Sequence, residues 1–198
     1  MNELVVATKN KGKLNDFQTL FTDRYIVKSL YDYSEVPEII EDGDTFHENA
    51  VKKAETLAAH LQKPVIADDS GLLIDALGGK PGVYSARYAG EPKNDQANID
   101  KVLSELDGVP TQKRTARFFC VIALAEPGKE TIFAEGACEG RITEKPTGSN
   151  GFGYDPIFLV PSHGQTMAEL SAETKNQLSH RARALTALKE TIEGAWPK

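Results

Sequence analysis

Short apolar runs alternate with amphipathic segments along this chain, and that alternation constrains the fold more than any other sequence feature. Residues 4–8 form an apolar run typical of a buried strand. Further strands are predicted over residues 26–30, over residues 64–69, which end in two carboxylates, and over residues 156–160. Residues 117–125 and 131–138 predict a hairpin joined by a Glu-Pro-Gly-Lys turn. Strands that alternate with helices, together with one hairpin, predict an α/β protein with a mixed sheet. The length of 198 residues favours a single domain and allows two lobes.

Helix signals are strongest at Thr45-Phe46-His47-Glu48, which has the form of a capping box. The helix that it opens should end before Pro64 and bury one apolar stripe, formed by Phe46, Ala50, Ala54, Leu57, Ala58 and Leu61. Further helices are predicted after Gly12, over residues 95–106 and in the C-terminal region. Their apolar faces are Leu14, Phe17, Leu20 and Phe21; Ile99, Val102, Leu103 and Leu106; and Leu178, Leu185, Leu188 and Ile192. Residues 70–90 are rich in Gly and Pro, and no element is assigned to them.

Composition excludes several classes of protein. The net charge of −6 argues against a protein that coats nucleic acid through a broad basic face, so no nucleic-acid partner is expected. No apolar run reaches membrane-spanning length, and the N-terminus lacks the features of a signal peptide, which predicts a cytoplasmic protein without a membrane partner. Cys120 and Cys138 lie outside any metal-binding or redox pattern and are interpreted as ordinary thiols in a reducing compartment.

A lysine-rich segment, Thr8-Lys9-Asn10-Lys11-Gly12-Lys13, lies between the first predicted strand and the first predicted helix. Backbone N–H groups at a helix N-terminus bind phosphate oxygens, lysines add positive charge, and glycine permits a tight turn. The segment is not a Walker A loop, because the first glycine and the final Ser or Thr are missing. Taken alone, it fits either a phosphate site or a solvated turn.

Carboxylates that could bind a metal ion occur in an acidic loop around Glu41 and in Asp68-Asp69-Ser70, at the predicted end of a strand. Mg²⁺ prefers oxygen ligands and is usually held by one or two carboxylates with substrate phosphates and water. We choose Asp69, because ligands of α/β sheets bind where strands end. Adjacent residues of a strand point to opposite sides, so one aspartate should face the site, and spacing alone leaves Asp68 as the alternative. A turn in which Asp68 and Ser70 cap the backbone would explain the same residues.

Residues 148–156 form a glycine-rich loop that includes Gly151-Phe152-Gly153-Tyr154-Asp155. Such a loop lets a flat ligand approach backbone and ring closely, and a carboxylate can accept hydrogen bonds from a base edge. A plain glycine loop before a strand is the competing interpretation. In the C-terminal helical region, Lys175 and Ser179-His180-Arg181 either donate to carbonyl oxygens of a ligand or form a solvated helix face.

Five segments occur in an order that resembles one family. They are Ala7-Thr8-Lys9-Asn10-Lys11-Gly12-Lys13, Ala67-Asp68-Asp69-Ser70-Gly71-Leu72, Pro81-Gly82-Val83-Tyr84-Ser85-Ala86-Arg87-Tyr88, Gly151-Phe152-Gly153-Tyr154-Asp155-Pro156-Ile157-Phe158 and Ser179-His180-Arg181. Over residues 4–188 the chain resembles the inosine/xanthosine triphosphate pyrophosphatases, which remove deaminated purine nucleotides. Any one of these motifs is weak, but five in this order are highly specific.

The resemblance implies a two-lobed α/β fold with an elongated mixed central sheet flanked by helices and an active-site cleft between the lobes. It implies hydrolysis of inosine, deoxyinosine and xanthosine triphosphates to the nucleoside monophosphate and pyrophosphate, with Mg²⁺ as cofactor and a homodimer as the assembly. Glu41 and Asp69 would bind the metal, and Asp69 would be the base for the attacking water. Glu38, Asp42 and Asp44 remain alternatives to Glu41, because the acidic loop has no distinctive motif.

The resemblance also implies which residues bind the substrate. Those for the triphosphate are Thr8, Lys9, Asn10, Lys11, Gly12, Lys13 and Lys53, and Ser70 would also contact the substrate. Those for the purine are Phe152, Gly153, Tyr154, Asp155, Lys175, His180 and Arg181. Two rival functions are a pyrophosphatase of similar fold that acts on modified pyrimidine nucleotides, and a binding module for nucleotides or nucleic acid without catalysis. The acidic composition counts against the binding module.

Overall fold

The computed structural model describes residues 2–9, 11–21 and 25–195, except for the side chains of residues 2, 11, 12, 16, 19, 20 and 193–195. Asn10, predicted to bind phosphate, lies outside the described residues, and for Lys11, Gly12 and Leu20 only the backbone is described. No helix in these ranges is long and apolar enough to cross a membrane.

The chain forms strands and helices in alternation over its first half and strands followed by helices over its second half. The strands are β1 (Asn2–Val6), β2 (Tyr25–Ser29), β3 (Val65–Ile74), β4 (Thr115–Ala125), β5 (Ile132–Ile142), β6 (Phe158–Val160) and β7 (Gln165–Thr166). The α-helices are α1 (Lys11–Phe21), α2 (Phe46–Leu61), α3 (Asp95–Glu105), α4 (Ala172–Leu178) and α5 (His180–Ala195). Short 3₁₀ helices occur at Leu30–Asp32, Asp75–Leu77, Gly82–Arg87, Thr111–Lys113 and Asp155–Ile157.

All seven strands belong to one mixed sheet, in the order β2-β1-β3-β4-β5-β6-β7. β1 pairs in parallel with β2 and with β3, while β6 pairs antiparallel with β5 and with β7. The buried run Leu4, Val5 and Val6 fits this position, because a strand in a parallel sheet is covered on both faces. The six-residue connection from β4 to β5 is too short for a crossover, so these neighbours form the predicted hairpin. The α/β fold with a mixed sheet is confirmed.

The capping box predicted for α2 is present. Oγ1 of Thr45 accepts a hydrogen bond from the Glu48 N–H at 3.1 Å, and Oε2 of Glu48 accepts one from the Thr45 N–H at 3.3 Å. The helix ends at Leu61, and its C-cap residue Gln62 adopts a left-handed conformation with φ of 53°. The predicted stripe is buried from Phe46 to Ala58, and its last member, Leu61, is half-buried.

Several elements differ from their predicted extent, each for a local reason. β3 continues to Ile74, so Asp69 lies inside a strand and not at its end; the buried Leu72 and Ile74 carry the apolar pattern onward. The predicted strand at residues 156–160 begins at Phe158, because the 3₁₀ helix Asp155–Ile157 includes Pro156. The C-terminal helical region is broken at Ser179, which separates Lys175 on α4 from His180 and Arg181 on α5.

Contacts between residues divide the chain into two compact units. Unit 1 consists of Met1–Asp69, Cys120–Gly136 and Arg181–Lys198, and unit 2 consists of Ser70–Phe119 and Ala137–His180. The buried core of unit 1 includes Leu4, Phe17, Ile66, Ile122, Leu185 and Leu188. That of unit 2 includes Leu72, Ile74, Val102, Leu106, Ile157 and Phe158. Each unit therefore has its own apolar core.

Both cysteines are buried and neither forms a disulfide, as their sequence context predicts. Burial raises the pKa of the Cys120 thiol to about 12, and the negative charge of Asp68 acts in the same direction. Because the thiolate is the reactive species, Cys120 is chemically inert at neutral pH.

Candidate active site

In unit 1, the predicted phosphate segment joins the end of β1 to the beginning of α1. The Ala7 N–H donates to the carbonyl of Ile66 on β3 at 2.7 Å, and the Lys9 carbonyl accepts from the Tyr31 hydroxyl at 2.8 Å. Thr8 is buried and Lys9 is exposed. Lys11, Gly12 and Lys13 form the first turn of α1, where backbone N–H groups lack partners within the helix. This geometry suits an anion at the helix N-terminus.

Asp68 is the centre of a cationic cluster. Its carboxylate oxygen Oδ2 lies 2.7 Å from Nζ of Lys13 and 3.4 Å from Nε of Arg181, and Nζ of Lys53 donates to the Asp68 carbonyl at 2.9 Å. Burial works to raise the pKa of Asp68, but the charges of Lys13, then Arg181, then Lys53 outweigh it and hold the pKa well below its usual range. Asp68 is therefore ionised, and it draws three cations into one region of unit 1.

Lys53 connects this cluster to the acidic loop. Its ammonium group pairs with the Glu41 carboxylate as well as with the Asp68 carbonyl. Burial opposes the charged form of Lys53, yet Glu41 first, and then Asp68 and Asp69, raise its pKa. The neighbouring Asp42 instead pairs with Lys52 at 2.5 Å on a more exposed surface. Pairing with Lys53 distinguishes Glu41 from Asp42 as the carboxylate near the cluster.

Asp69 has different partners from Asp68. Its oxygen Oδ2 accepts a hydrogen bond from Nδ2 of Asn49, on α2, at 3.0 Å. The side-chain oxygen of the same Asn49 accepts the N–H of Gly43, two residues after Glu41, at 2.8 Å. One buried amide thus holds both Asp69 and the acidic loop.

The carboxylates of unit 1 fit a divalent ion that is partly coordinated by its substrate. In the part of the chain that the structure describes, no group of three or more His, Cys, Asp or Glu side chains forms a complete protein metal site. Mg²⁺ does not require one, because phosphates and water normally complete its octahedral shell. Asp69 bonds the Asn49 amide directly, and Glu41 lies two residues before Gly43, which bonds the same amide. Together they offer two hard oxygen donors, which is a suitable protein contribution.

In unit 2, the glycine-rich loop is fixed by two carboxylates. Oδ2 of Asp155 accepts the Phe152 N–H at 3.3 Å and pairs with Nζ of Lys175 at 2.7 Å. The Gly153 N–H donates to Oδ2 of Asp95, at the start of α3, at 2.9 Å. The Phe152 ring is 60% exposed, so the loop presents an aromatic face to solvent. Such a face suits stacking on a flat base.

Tyr154 and His180 pack inside unit 2. Tyr154 is buried, and its hydroxyl donates to the carbonyl of Ser85 at 2.8 Å. Burial raises the pKa of Tyr154. The His180 ring stacks on Phe118 with 5.1 Å between centroids. Ser70 follows Asp69 along β3 and is half-buried.

The Ham1 family model matches residues 4–191 of the chain. The protein belongs to the Ham1 family. It is 96% identical over 198 residues, the whole of both chains, to a dITP/XTP pyrophosphatase of Shouchella clausii. It is 59% identical to a dITP/XTP pyrophosphatase of Geobacillus kaustophilus, over 98% of this chain and 95% of that one. Its structure is similar to that of the Staphylococcus aureus Ham1 protein, with a TM-score of 0.92, 48% identity, and coverage of 98% and 100% of the two chains.

Within this Ham1-family chain, the predicted site residues fall into two sets. Unit 1 brings together Lys13, Glu41, Lys53, Asp69 and Arg181 around Asp68, and unit 2 brings together Phe152, Gly153, Asp155 and Lys175. The sequence alone does not identify the residues that hold these side chains in position, namely Asn49 for Asp69, Asp95 for Gly153 and Ser85 for Tyr154. Their local sequence carries no distinguishing signal, because each acts through a partner distant in the chain.

Proposed function

We propose that this Ham1-family protein hydrolyses the non-standard purine nucleotides dITP, ITP and XTP to the nucleoside monophosphate and pyrophosphate. The observation that carries this proposal is its 96% identity, over the full length of both chains, to a dITP/XTP pyrophosphatase. The arrangement of unit 1 agrees with it, since a helix N-terminus, several cations and the carboxylates of Glu41 and Asp69 suit a polyphosphate and a divalent ion.

The proposed reaction is attack of water on the α-phosphorus. The water oxygen bonds to phosphorus, the bond to the bridging oxygen breaks, and pyrophosphate leaves with the bonding electrons. Asp69 accepts the proton of the water, because Asp68 is already bonded to Lys13 and Arg181.

Phosphate charge is stabilised by the side chains of unit 1. Lys13 and Lys53 are held by Asp68, so their ammonium groups are positioned before the substrate binds. The first turn of α1 would add backbone N–H donors toward the same phosphates. The Thr8 N–H is already bonded to the Val6 carbonyl, so Thr8 would contribute through its hydroxyl, and Lys9 through its ammonium group. Mg²⁺ bound by Glu41 and Asp69 would supply charge neutralisation at the phosphate oxygens.

Base selection is assigned to a second set of side chains. Phe152 would stack on the purine, and Lys175, His180 and Arg181 would donate to its carbonyl edge, with Gly153, Tyr154 and Asp155 supporting that wall. A set of donors favours a 6-oxo purine, because the 6-amino group of adenine would leave donors facing a donor. Ser70 would contact the substrate beside Asp69.

The family resemblance also leads us to propose that the protein acts as a homodimer and that it works in the cytoplasm, where the nucleotide pool that it acts on is found. Size-exclusion chromatography with light scattering tests the dimer, for which a mass of twice 21.6 kDa is expected.

Product analysis tests the function. The protein is incubated with Mg²⁺ and, separately, ITP, dITP, XTP, ATP and a modified pyrimidine triphosphate, and products are separated by anion-exchange chromatography. Inosine or xanthosine monophosphate and pyrophosphate are expected, with little free phosphate. Dominant release of single phosphates would place attack at the terminal phosphorus and refute the proposal. Faster turnover of the pyrimidine substrate would favour the first rival, and salt-sensitive duplex binding without turnover would favour the second.

A further inference from the structure

Asn49 uses both ends of its side-chain amide to join two separate parts of unit 1. It is 2% exposed and lies in the first turn of α2, where its backbone N–H donates to the Thr45 carbonyl at 3.2 Å. Its Oδ1 accepts the Gly43 N–H at 2.8 Å, and its Nδ2 donates to Oδ2 of Asp69 at 3.0 Å. The acidic loop and β3 are therefore fixed to the same rigid helical turn.

The amide of Asn49 matches the hydrogen-bonding chemistry of both partners. A backbone N–H can only donate and an ionised carboxylate can only accept, so the residue between them must offer one acceptor and one donor. An aspartate at position 49 would face the Asp69 carboxylate without a proton to donate. An aliphatic residue would leave the Gly43 N–H and one carboxylate oxygen without these bonds in a buried place. The same logic fixes the orientation of the amide.

Gly43 provides a second observation on the same contact. A Cβ atom at this position would lie 2.8 Å from Oδ1 of Asn49 and 2.9 Å from Cβ of Glu48. The loop can approach α2 this closely because residue 43 has no side chain. The next residue is also held, since the Asp44 N–H donates to Oε2 of Glu48 at 2.8 Å.

We propose that Asn49 is a positioning residue that sets the spacing of Glu41 and Asp69 and thereby preorganises them to bind a divalent cation. Glu41 is placed by two contacts, the anchored backbone at Gly43 and the ammonium group of Lys53. Asp69 is oriented by the amide itself. The inference rests on the proposed function in that it takes these carboxylates as the metal ligands, but it concerns cation binding and can be measured without any nucleotide.

The expected effect is a weaker cation site with an intact nucleotide site. Residues that orient metal ligands typically contribute about 10- to 100-fold to metal affinity or activity. Asn49→Ala should therefore raise the Mg²⁺ concentration for half-maximal turnover by about 10- to 100-fold. The KM for ITP at saturating Mg²⁺ should stay within about threefold of wild type, because the contacts of Lys13 and Lys53 with Asp68 remain.

The experiment combines two readouts on four proteins. Wild type, Asn49→Ala, Gly43→Ala and Thr45→Ala are titrated with Mn²⁺ without nucleotide, and free Mn²⁺ is measured by electron paramagnetic resonance. The Mg²⁺ dependence of ITP turnover is then measured on the same samples. Gly43→Ala keeps the amide but forces the loop away from it, so it should resemble Asn49→Ala even if the latter folds poorly. Thr45→Ala removes only the N-cap side chain of α2 and controls for a weakened helix.

Weaker Mn²⁺ binding in Asn49→Ala and Gly43→Ala, with wild-type binding in Thr45→Ala, supports the inference. Equal weakening of Mn²⁺ binding in all three variants would mean that Asn49 only stabilises α2, and this result would overturn the inference. Unchanged Mn²⁺ affinity in both site variants, or no Mn²⁺ binding by wild type, would also overturn it. If wild type binds Mn²⁺ but hydrolyses no ITP, the proposed function fails while the Mn²⁺ comparison still decides the role of Asn49.

Discussion

The carboxylate of Asp68 lies 2.7 Å from the ammonium group of Lys13, and with 3% of its side chain exposed it is almost completely buried. Arg181, from the C-terminal helix, contacts the same oxygen at 3.4 Å. A buried carboxylate between two cations costs desolvation energy, which the paired charges offset only while every partner is present. Asp68 therefore couples the stability of unit 1 to the geometry of its cations.

Replacing this carboxylate should destabilise the protein strongly. Asp68→Asn keeps the shape of the side chain but removes the charge that Lys13 and Arg181 share, and breaking a buried ion pair typically costs about 3–5 kcal/mol. Urea unfolding followed by circular dichroism measures the loss. Asp42→Asn is the matched control, because its pair with Lys52 is exposed, and its midpoint should stay close to that of wild type. An unchanged urea midpoint for Asp68→Asn would mean that the charges of Lys13 and Arg181 are stabilised without the Asp68 carboxylate.

The second prediction separates the two adjacent aspartates by role. Asp69→Asn should lower turnover by about a hundred- to ten-thousand-fold, because it removes the proposed general base. The KM for ITP should change much less, since Lys13 and Lys53 keep their contacts with Asp68. Steady-state kinetics at saturating Mg²⁺ measures both constants. Near-normal turnover would exclude Asp69 as the general base, and Asp68 would then become the candidate for that role.

How much of this architecture could be predicted depends on how local its causes are. The capping box of α2 and the hairpin of β4 and β5 can be predicted, because their signals lie within a few consecutive residues. The length of β3 cannot be predicted in this way. Its two aspartates interrupt the apolar run, and the interruption is tolerated because Lys13 and Asn49 supply partners from elsewhere in the chain.

The contacts that hold the candidate site together are also made between residues distant in the chain. From its local sequence, Asp68 is interpreted as an alternative to Asp69 or as a turn residue. The sequence does not show that Lys13 and Arg181, separated from it by 55 and 113 positions, converge on its side chain. Asp95 bonds the Gly153 N–H across 58 positions, and nothing near Asp95 indicates this contact. Family motifs identified groups for binding and chemistry, whereas the residues that hold them became visible only in the folded chain.

The third prediction concerns the aromatic loop of unit 2. Gly151 has φ of +86°, and a Cβ added there would collide with the Asp155 carboxylate and the Lys175 ammonium group. Gly151→Ala should therefore separate that ion pair and lower kcat/KM for ITP by about ten- to a hundred-fold, the equivalent of one charged hydrogen bond. Gly164→Ala, at φ of +63° with no atom within 4 Å of the added Cβ, controls for backbone strain alone. It should leave the kinetic constants unchanged, and equal losses in both variants would remove the Asp155–Lys175 pair from substrate binding.

The last prediction uses two residues that share one partner. Arg181 and Lys13 both contact Oδ2 of Asp68, so removing either side chain disturbs the same buried carboxylate. Their proposed roles differ, because Arg181 is assigned to the purine carbonyl and Lys13 to the phosphates. Arg181→Ala should lower the rate on ITP more than the slow rate on ATP, since only the 6-oxo base can accept the lost hydrogen bond. A charged hydrogen bond is worth about 1.5–3 kcal/mol, so the preference for ITP should fall about ten- to a hundred-fold.

Lys13→Ala provides the comparison that makes this test decisive. It should lower kcat/KM for ITP and ATP by a similar factor, because both substrates carry the same triphosphate. Structural damage around Asp68 is common to the two variants and acts on both substrates, so it cancels when the ITP-to-ATP ratio is compared. The ratio therefore reports base recognition alone. If Arg181→Ala left the ratio unchanged, the contact with Asp68 would account for all of its effect, and Lys175 and His180 would be the remaining donors assigned to the purine.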